Sequence, residues 1–432
     1  MTDIAILWDA SQIWGLLAWR AAEAFGLPYR LIKAQEIAHG ALSDKTSLLL
    51  VPGGTARHKS AALGEQGRRA LVAWVEAGGH YLGFCGGAGF GLCQESHNRA
   101  SSAPNLGLCP WQRATITERM QHFISGHVRV ECNPTHPLAL DTALTIPVWW
   151  PGRFAMPGGT QDVFFGERAD GVEVLARYAG ADPRTCPADL CVADLPLASL
   201  SQSVLEQWVE QYGVSLTPDF LNGQPCVVHG KKGKGSYTLS YSHLETPASP
   251  DANRWLSHLF GVLTGGTPHQ TLVPDWKPGD APLVWEDEVL IEARAGMDAL
   301  MALGRAHGLL FDRASWLTGW RAGVPGSGLN NLYTALCVMT SCCPAPQTLA
   351  RWQTLSERFK SSFALFREGV EGLLLAQRLA AIMPEAVPRT ILAERRAALF
   401  GSAMQGGGVY KELMDMLDAM LFLHLGGGAH GQ

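Results

Sequence analysis

Two short patterns carry side chains able to do chemistry together: Gly83-x-Cys85-x-Gly87, and far downstream His243-x-Glu245. A thiol needs a base to become a nucleophile near neutral pH, and the base needs an acceptor that holds its ring in place. Cys85 supplies the thiol, and His243 and Glu245 supply the other two. Residues two apart on an extended segment point the same way, so Glu245 is expected to orient the His243 imidazole. The glycines around Cys85 leave room for a strained strand-to-helix turn that lifts one side chain clear of a sheet. Backbone N–H groups at the helix start would then face whatever the sulfur attacks, and can stabilise a thiolate. Each pattern also has a bland reading. Gly-x-Cys-x-Gly fits a buried cysteine in a glycine-rich turn, and a lone His-x-Glu is common.

The elements that must position these residues follow from periodicity. Residues 4–8 form an apolar run ending in Asp9, and residues 11–25 are amphipathic, closed by Gly26-Leu27-Pro28. Residues 29–33, 47–51 and 80–84 read as further strands, and residues 63–77 as a helix stopped by Gly78-Gly79. Strands alternating with helices at this spacing imply right-handed crossovers and a parallel sheet covered on both faces. A site in such a sheet lies at the carboxyl ends of the strands, where Cys85 and the Pro52-Gly53-Gly54 turn both fall. Pro-Gly-Gly is by itself an ordinary turn. Beside the elbow strand, Gly53 and Gly54 are expected to join the amide of Gly86 in an oxyanion hole.

Between residues 93 and 224 the pattern is less regular, with strand candidates at 121–131, 145–149, 162–165 and 172–178 and a surface helix at 203–212. Trp149-Trp150 either closes a core edge or walls a pocket. His97, His122, His127 and His136 have no metal-ligand spacing, so neither a metal nor a cofactor is expected. Residues 225–229 and 235–241 look like the arms of a β-hairpin turned by residues 230–235, the second arm delivering His243. Gly230 and Gly235 have the separation of a phosphate-binding loop, but Ser236-Tyr237 stands where Lys-Ser or Lys-Thr is required. A helix at 253–263 follows.

Residues 269–283 contain a proline-rich connector that separates an α/β domain (1–268) from a helical one (284–432). In the latter, residues 288–303, 348–381, 389–404 and 409–425 carry helical periodicity, while 326–330 reads as a loop and 426–432 as a disordered tail. Its expected role is self-association or a protein partner; simple packing as a covering domain is the alternative.

With 432 residues, 47% hydrophobic and 17% charged, the chain is long enough for a large buried core. A net charge of −5 gives no general attraction to polyanions, so nucleic acid is not an expected partner. Nor is a membrane, since no apolar run reaches spanning length, and the start lacks a basic leader, which places the protein in the cytoplasm. Ten cysteines spread over this length make no disulfide framework.

Taken with their order, Val51-Pro52-Gly53-Gly54, the Gly83 to Gly89 elbow and the Gly233 to Thr246 stretch resemble the class I glutamine amidotransferase superfamily. Within it they look most like the N-terminal domain of eukaryotic-type biotin-protein ligases. The resemblance covers residues 1 to about 265 and implies a flavodoxin-like α/β fold with Cys85 as nucleophile, His243 as base and Glu245 as its orienter. It implies a small-molecule amide as substrate and cysteine-dependent hydrolysis or acyl transfer; the alternative is a non-catalytic binding or regulatory module on the same fold. Three departures narrow this. Gly89 stands where glutamine amidotransferases carry Gln, Leu244 replaces the usual Pro between His and Glu, and Gly86 stands where related peptidases place His. There is no Gly-Arg-Gly-Arg-like segment of a biotin-ligase catalytic domain, so biotin transfer is not expected. With Gly89 in the Gln position, the isolated protein should show little or no glutaminase activity. Robust glutamate release from glutamine, lost in Cys85→Ala, would overturn that expectation.

Overall fold

The computed structural model describes residues 3–93, 104–114, 124–140, 143–157, 165, 170–187, 189–194, 201–212, 219–321, 328–385, 387–401 and 407–426. It divides into two compact units, Met1–Asp275 and Trp276–Gln432. The first runs β1 (Asp3–Leu7), α1 (Ile13–Phe25), β2 (Tyr29–Ile32), α2 (Ala34–Ala38), β3 (Thr46–Val51), α3 (Ala56–Ala77), β4 (His80–Phe84) and α4 (Gly86–Gly91). It continues with β5 (Gln112–Arg113), β6 (Ile124–Cys132), β7 (Ala143–Trp149), β8 (Phe154–Ala155), β9 (Val172–Pro187), α5 (Gln202–Tyr212), β10 (Pro225–Lys232), β11 (Gly235–Ser240) and α6 (Pro250–Thr264).

Nine strands form one sheet in the order β2-β1-β3-β4-β11-β10-β9-β6-β7. The first five are mutually parallel in flavodoxin-like order. The remaining pairings are all antiparallel, so the fully parallel sheet implied by the strand–helix alternation is confined to one half. The reason is connectivity. A helix returns the chain between parallel strands, whereas β10 and β11 are joined by a tight turn that only an antiparallel pair accepts. That turn is Gly233 and Lys234 alone, with Gly233 at φ 62°, so Gly230 and Lys231, expected within it, are strand residues.

Alternation along the strands supplies both faces. Ala5, Leu7, Leu49, Val51 and Tyr81 pack with Leu63, Leu71 and Val75 of α3 and with Ala88 and Phe90 of α4. The opposite set, Ile4, Ile6 and Trp8, is equally buried, and Trp8 lies against Gly15 of α1. On that side Phe25 of α1 meets Phe260 of α6 edge to face, with ring centres 5.8 Å apart. The helix expected at 63–77 is the second part of α3; a first segment from Ala56 precedes it, and the two meet at a kink at Gly64, with φ 61° and ψ −172°. The short α2 gives no periodic signal and is held by its ends. The Asp9 carboxylate accepts from the Ala34 N–H (2.6 Å) and the Glu36 carboxylate from the Lys33 N–H (2.7 Å). Strand β9 runs beyond the expected residue 178. The strand candidate at 162–164, the start of the one at 121–123, His97, His122 and the tail after Gly426 lie outside the described residues.

The second unit contains α7 (Glu288–Ala306), a hairpin of β12 (Leu310–Ala314) and β13 (Leu317–Trp320), α8 (Leu329–Thr340), α9 (Pro346–Ile382), α10 (Arg389–Phe400) and α11 (Gly408–Gly426). It is mainly helical, as its periodicity implies; the hairpin and α8 are additions, and residues 329–330 open α8 instead of lying in a loop. Asp287 caps α7 by accepting from the Val289 and Leu290 amides, and its second oxygen takes the Trp352 indole N–H at 2.8 Å. Ring contacts then link Trp352, Phe359, Phe363 and Phe366 of α9 to Phe400 of α10 and Tyr410 of α11. Among the described residues, no helix is long and apolar enough to cross a membrane.

Phe260 has no exposed surface and closes the layer of α1 and α6. Phe260→Ala should cost about 3–5 kcal/mol, measured as a lowered urea midpoint at unchanged slope.

Candidate active site

The carboxyl ends of the parallel strands carry the predicted chemistry. Cys85 leaves β4 at φ 48° and ψ −104°, a conformation that a residue with a side chain rarely adopts. Its amide donates to the Ser240 carbonyl at 2.8 Å, and its own carbonyl accepts from the Gly89 N–H at 2.9 Å. The turn is therefore fixed from both sides. It lies so close to the end of β3 that side chains are excluded. A Cβ on Gly87 would sit 2.0 Å from the Val51 carbonyl oxygen, and one on Gly86 would sit 1.8 Å from that of Gly54.

The hairpin places the other two residues, through a turn instead of the expected extended segment. The Thr246 N–H donates to the His243 carbonyl (3.2 Å), so residues 243–246 form a turn. The Asn253 amide of α6 pins it by donating to the Leu244 (2.9 Å) and Thr246 (2.8 Å) carbonyls. Within it, the His243 Nδ1–H donates to Glu245 Oε1 at 2.7 Å, with both side chains fully buried. That leaves Nε2 for Cys85, which faces the ring without a fully aligned hydrogen bond. Burial alone would lower the imidazole pKa. The Glu245 carboxylate and the Cys85 sulfur outweigh it and push it up to about 10. The proton thus belongs on the ring, between a carboxylate and a sulfur.

Gly53 and Gly54 are brought to the site, but differently from each other. Gly53 lies under the His243 ring, where a Cβ would come within 2.8 Å of Cε1 and 2.9 Å of the Trp14 ring. Gly54 turns its carbonyl oxygen toward Gly86. Gly86, at the start of α4, carries the amide next to Cys85.

Sequence reasoning missed three contributors. Trp14 of α1 stacks on His243 with ring centres 4.3 Å apart and an angle of 34°. Lys59 of α3 is fully buried; its ammonium donates to Ser11 Oγ (2.7 Å) and to the Ala10 carbonyl (3.3 Å), fastening the loop after β1. Ser11 itself is buried and donates its hydroxyl to the Leu7 carbonyl at 2.9 Å. A tryptophan at an apolar helix position and a lysine in a helix carry no signal of these roles. The tryptophan pair divides. Trp149 is core and donates to Thr246 Oγ1 at 3.2 Å, whereas Trp150, at φ 60°, sets its ring edge-on against Trp14 with centres 6.0 Å apart.

Comparison with known proteins fits this part of the chain. Residues 28–102 match the family described as biotin-protein ligase, N terminal, a stretch that includes the Gly53-Gly54 turn and Cys85 but ends before His243. No curated protein sequence matches significantly. Among solved structures, a glutamine amidotransferase is similar at 17% identity, over 61% of this chain and 99% of that one, with a TM-score of 0.37. A putative GMP synthase subunit from Thermoplasma acidophilum is similar at 11% identity, over 61% and 95%, with a TM-score of 0.35. A putative ThuA-like protein from Bacteroides uniformis is similar at 12%, over 63% and 94%, also at 0.35.

The raised pKa of His243 has a consequence for stability. Protonated His243 is favoured by the fold, so its contribution is fully present below the ordinary value of about 6.5. It is lost as pH rises through about 10. The melting-temperature advantage of the native chain over Glu245→Gln should therefore be larger at pH 6 than at pH 10. An advantage constant with pH would show that the pair does not hold this proton.

Proposed function

We propose that the chain is a cysteine-dependent hydrolase or acyl-transferase acting on a small-molecule amide, with Cys85 as nucleophile, His243 as proton shuttle and Glu245 as the group that orients it. The observation that carries this reading is the fully buried His243–Glu245 pair, whose free ring nitrogen faces a cysteine in a strained elbow. The Cys85 sulfur attacks the amide carbonyl carbon, the oxygen takes up negative charge, and the Gly86 amide supports it. His243 gives its proton to the leaving nitrogen as the C–N bond breaks, leaving a thioester on Cys85. It then takes a proton from water or another acceptor nucleophile, whose attack releases the acyl group and restores the thiolate beside the protonated ring.

The second reading, a binding or regulatory module on the same fold, is favoured by one observation. Gly89 stands where glutamine amidotransferases carry Gln.

Thiol reactivity separates the two. With His243 as its proton acceptor, Cys85 should alkylate with iodoacetamide at pH 7 faster than the other nine cysteines. His243→Ala should slow that reaction by about 10²-fold. Glu245→Gln should keep the fold and lower both reactivity and any turnover, and Cys85→Ala should abolish covalent chemistry. Uniform labelling of all ten cysteines would favour the binding module. A Glu245→Gln variant that melts a few degrees lower while Cys85 reacts normally would make Glu245 a structural carboxylate.

A further inference from the structure

The sheet assembles a second cluster of chemically capable side chains, from three places far apart in the chain. Glu173 near the start of β9 pairs across the ladder with His229 of β10, and His229 pairs in turn with Thr238 of β11. The loop after β6 brings His136 over them. His136 Nε2 lies 3.3 Å from Glu173 Oε2, and the rings of His136 and His229 are centred 5.4 Å apart. One ligand-type atom from each of the three residues falls within 4.8 Å of the others. No spacing along the chain announces this group, because the ladder, not the sequence, makes the residues neighbours.

We propose that His136, Glu173 and His229 form a binding site for a divalent cation of borderline softness, of which Zn²⁺ is the type. Two imidazoles and a carboxylate are a donor set suited to that ion, and three protein ligands leave a fourth position for water. Bonds of about 2.0–2.1 Å in a tetrahedron put ligand atoms roughly 3.3–3.5 Å apart. The His136–Glu173 pair already has that separation, and small rotations of the side chains bring in His229. Its ring is also oriented. Nδ1 of His229 is 3.0 Å from the Thr238 hydroxyl, and with Nδ1–H donating there Nε2 keeps its lone pair. His136 makes one competing contact, because its Nδ1 accepts the Leu138 N–H at 3.1 Å. That contact favours the tautomer with the proton on Nε2, directed at Glu173. Ligation through Nε2 takes the other tautomer and releases the Leu138 amide, so cation uptake shifts the loop after β6.

Cobalt and zinc titrations of the full chain, freed of metal by dialysis against chelator, test this. Cys85→Ser serves as the background, so that the cysteine site does not compete. The expected result is one Co²⁺ per chain with visible ligand-field bands and no thiolate charge-transfer band, and a melting temperature raised by Zn²⁺. Glu173 is the most exposed member of the cluster, and His136→Ala and Glu173→Gln should fold and lose at least ten-fold in affinity. Three results would overturn the site: no cation bound at micromolar concentration, binding only with a thiolate band, or affinity in both variants unchanged from the Cys85→Ser background. Melting of each variant without metal shows that a lost signal is not lost structure. Because none of these readouts uses Cys85 chemistry, the outcome is independent of the amide-cleaving reading.

Discussion

A carboxylate and an imidazole buried together constrain everything else at the strand ends. Removing two ionisable groups from water costs several kcal/mol for each of them, and only close pairing with satisfied surroundings offsets it. The 2.7 Å contact between His243 and Glu245 provides the pairing. Asn253 binds the carbonyls of the turn that carries them, and Trp14 covers the ring. Excluding water strengthens the attraction and fixes the ring's direction. One nitrogen is committed to Glu245, so the other has a single place to act, and Cys85 is there.

Backbone strain gathers at the same end of the sheet. Among the described residues, those other than glycine with positive φ are Ala10, Gln12, Cys85, Trp150 and Ala248. They follow β1, β4, β7 and β11, whose carboxyl ends all point one way. Such conformations persist only where the surroundings over-determine them. Lys59 holds the carbonyl of Ala10, the Ser240 carbonyl holds the amide of Cys85, and the Ile124 carbonyl accepts the N–H of Trp150 at 3.0 Å. The strained residues thus mark the site independently of side-chain chemistry.

The parts legible in the sequence were those written locally. The elbow shows in three glycines around one cysteine, the parallel half of the sheet in apolar runs alternating with helical periods, and the hairpin in two strand-like arms before His243. Less legible were features set by long-range contact. His243 and Glu245 were expected to align through strand alternation, yet a turn joins them, because α6 supplies the amide that holds residues 244 and 246. Trp14 looked like a core residue of an amphipathic helix, which it is, with the imidazole as its neighbour. The close approach of Gly53 to the His243 ring and of Gly54 to Gly86 was likewise not legible, because Pro-Gly-Gly alone reads as an ordinary turn. His136 and His229 have no meaningful separation in the chain.

The antiparallel half of the sheet is what allows one hairpin to serve two places. Along β11 the side chains alternate, so Tyr237 and Leu239 enter the core under α3 and α4, while Thr238 and Ser240 face the other way. Thr238 holds Nδ1 of His229. Two residues on, Ser240 accepts the Cys85 amide through its carbonyl and donates its hydroxyl to the Ser242 carbonyl at 2.8 Å, immediately before His243. The histidine cluster and Cys85 are thus fastened to the same strand, two positions apart.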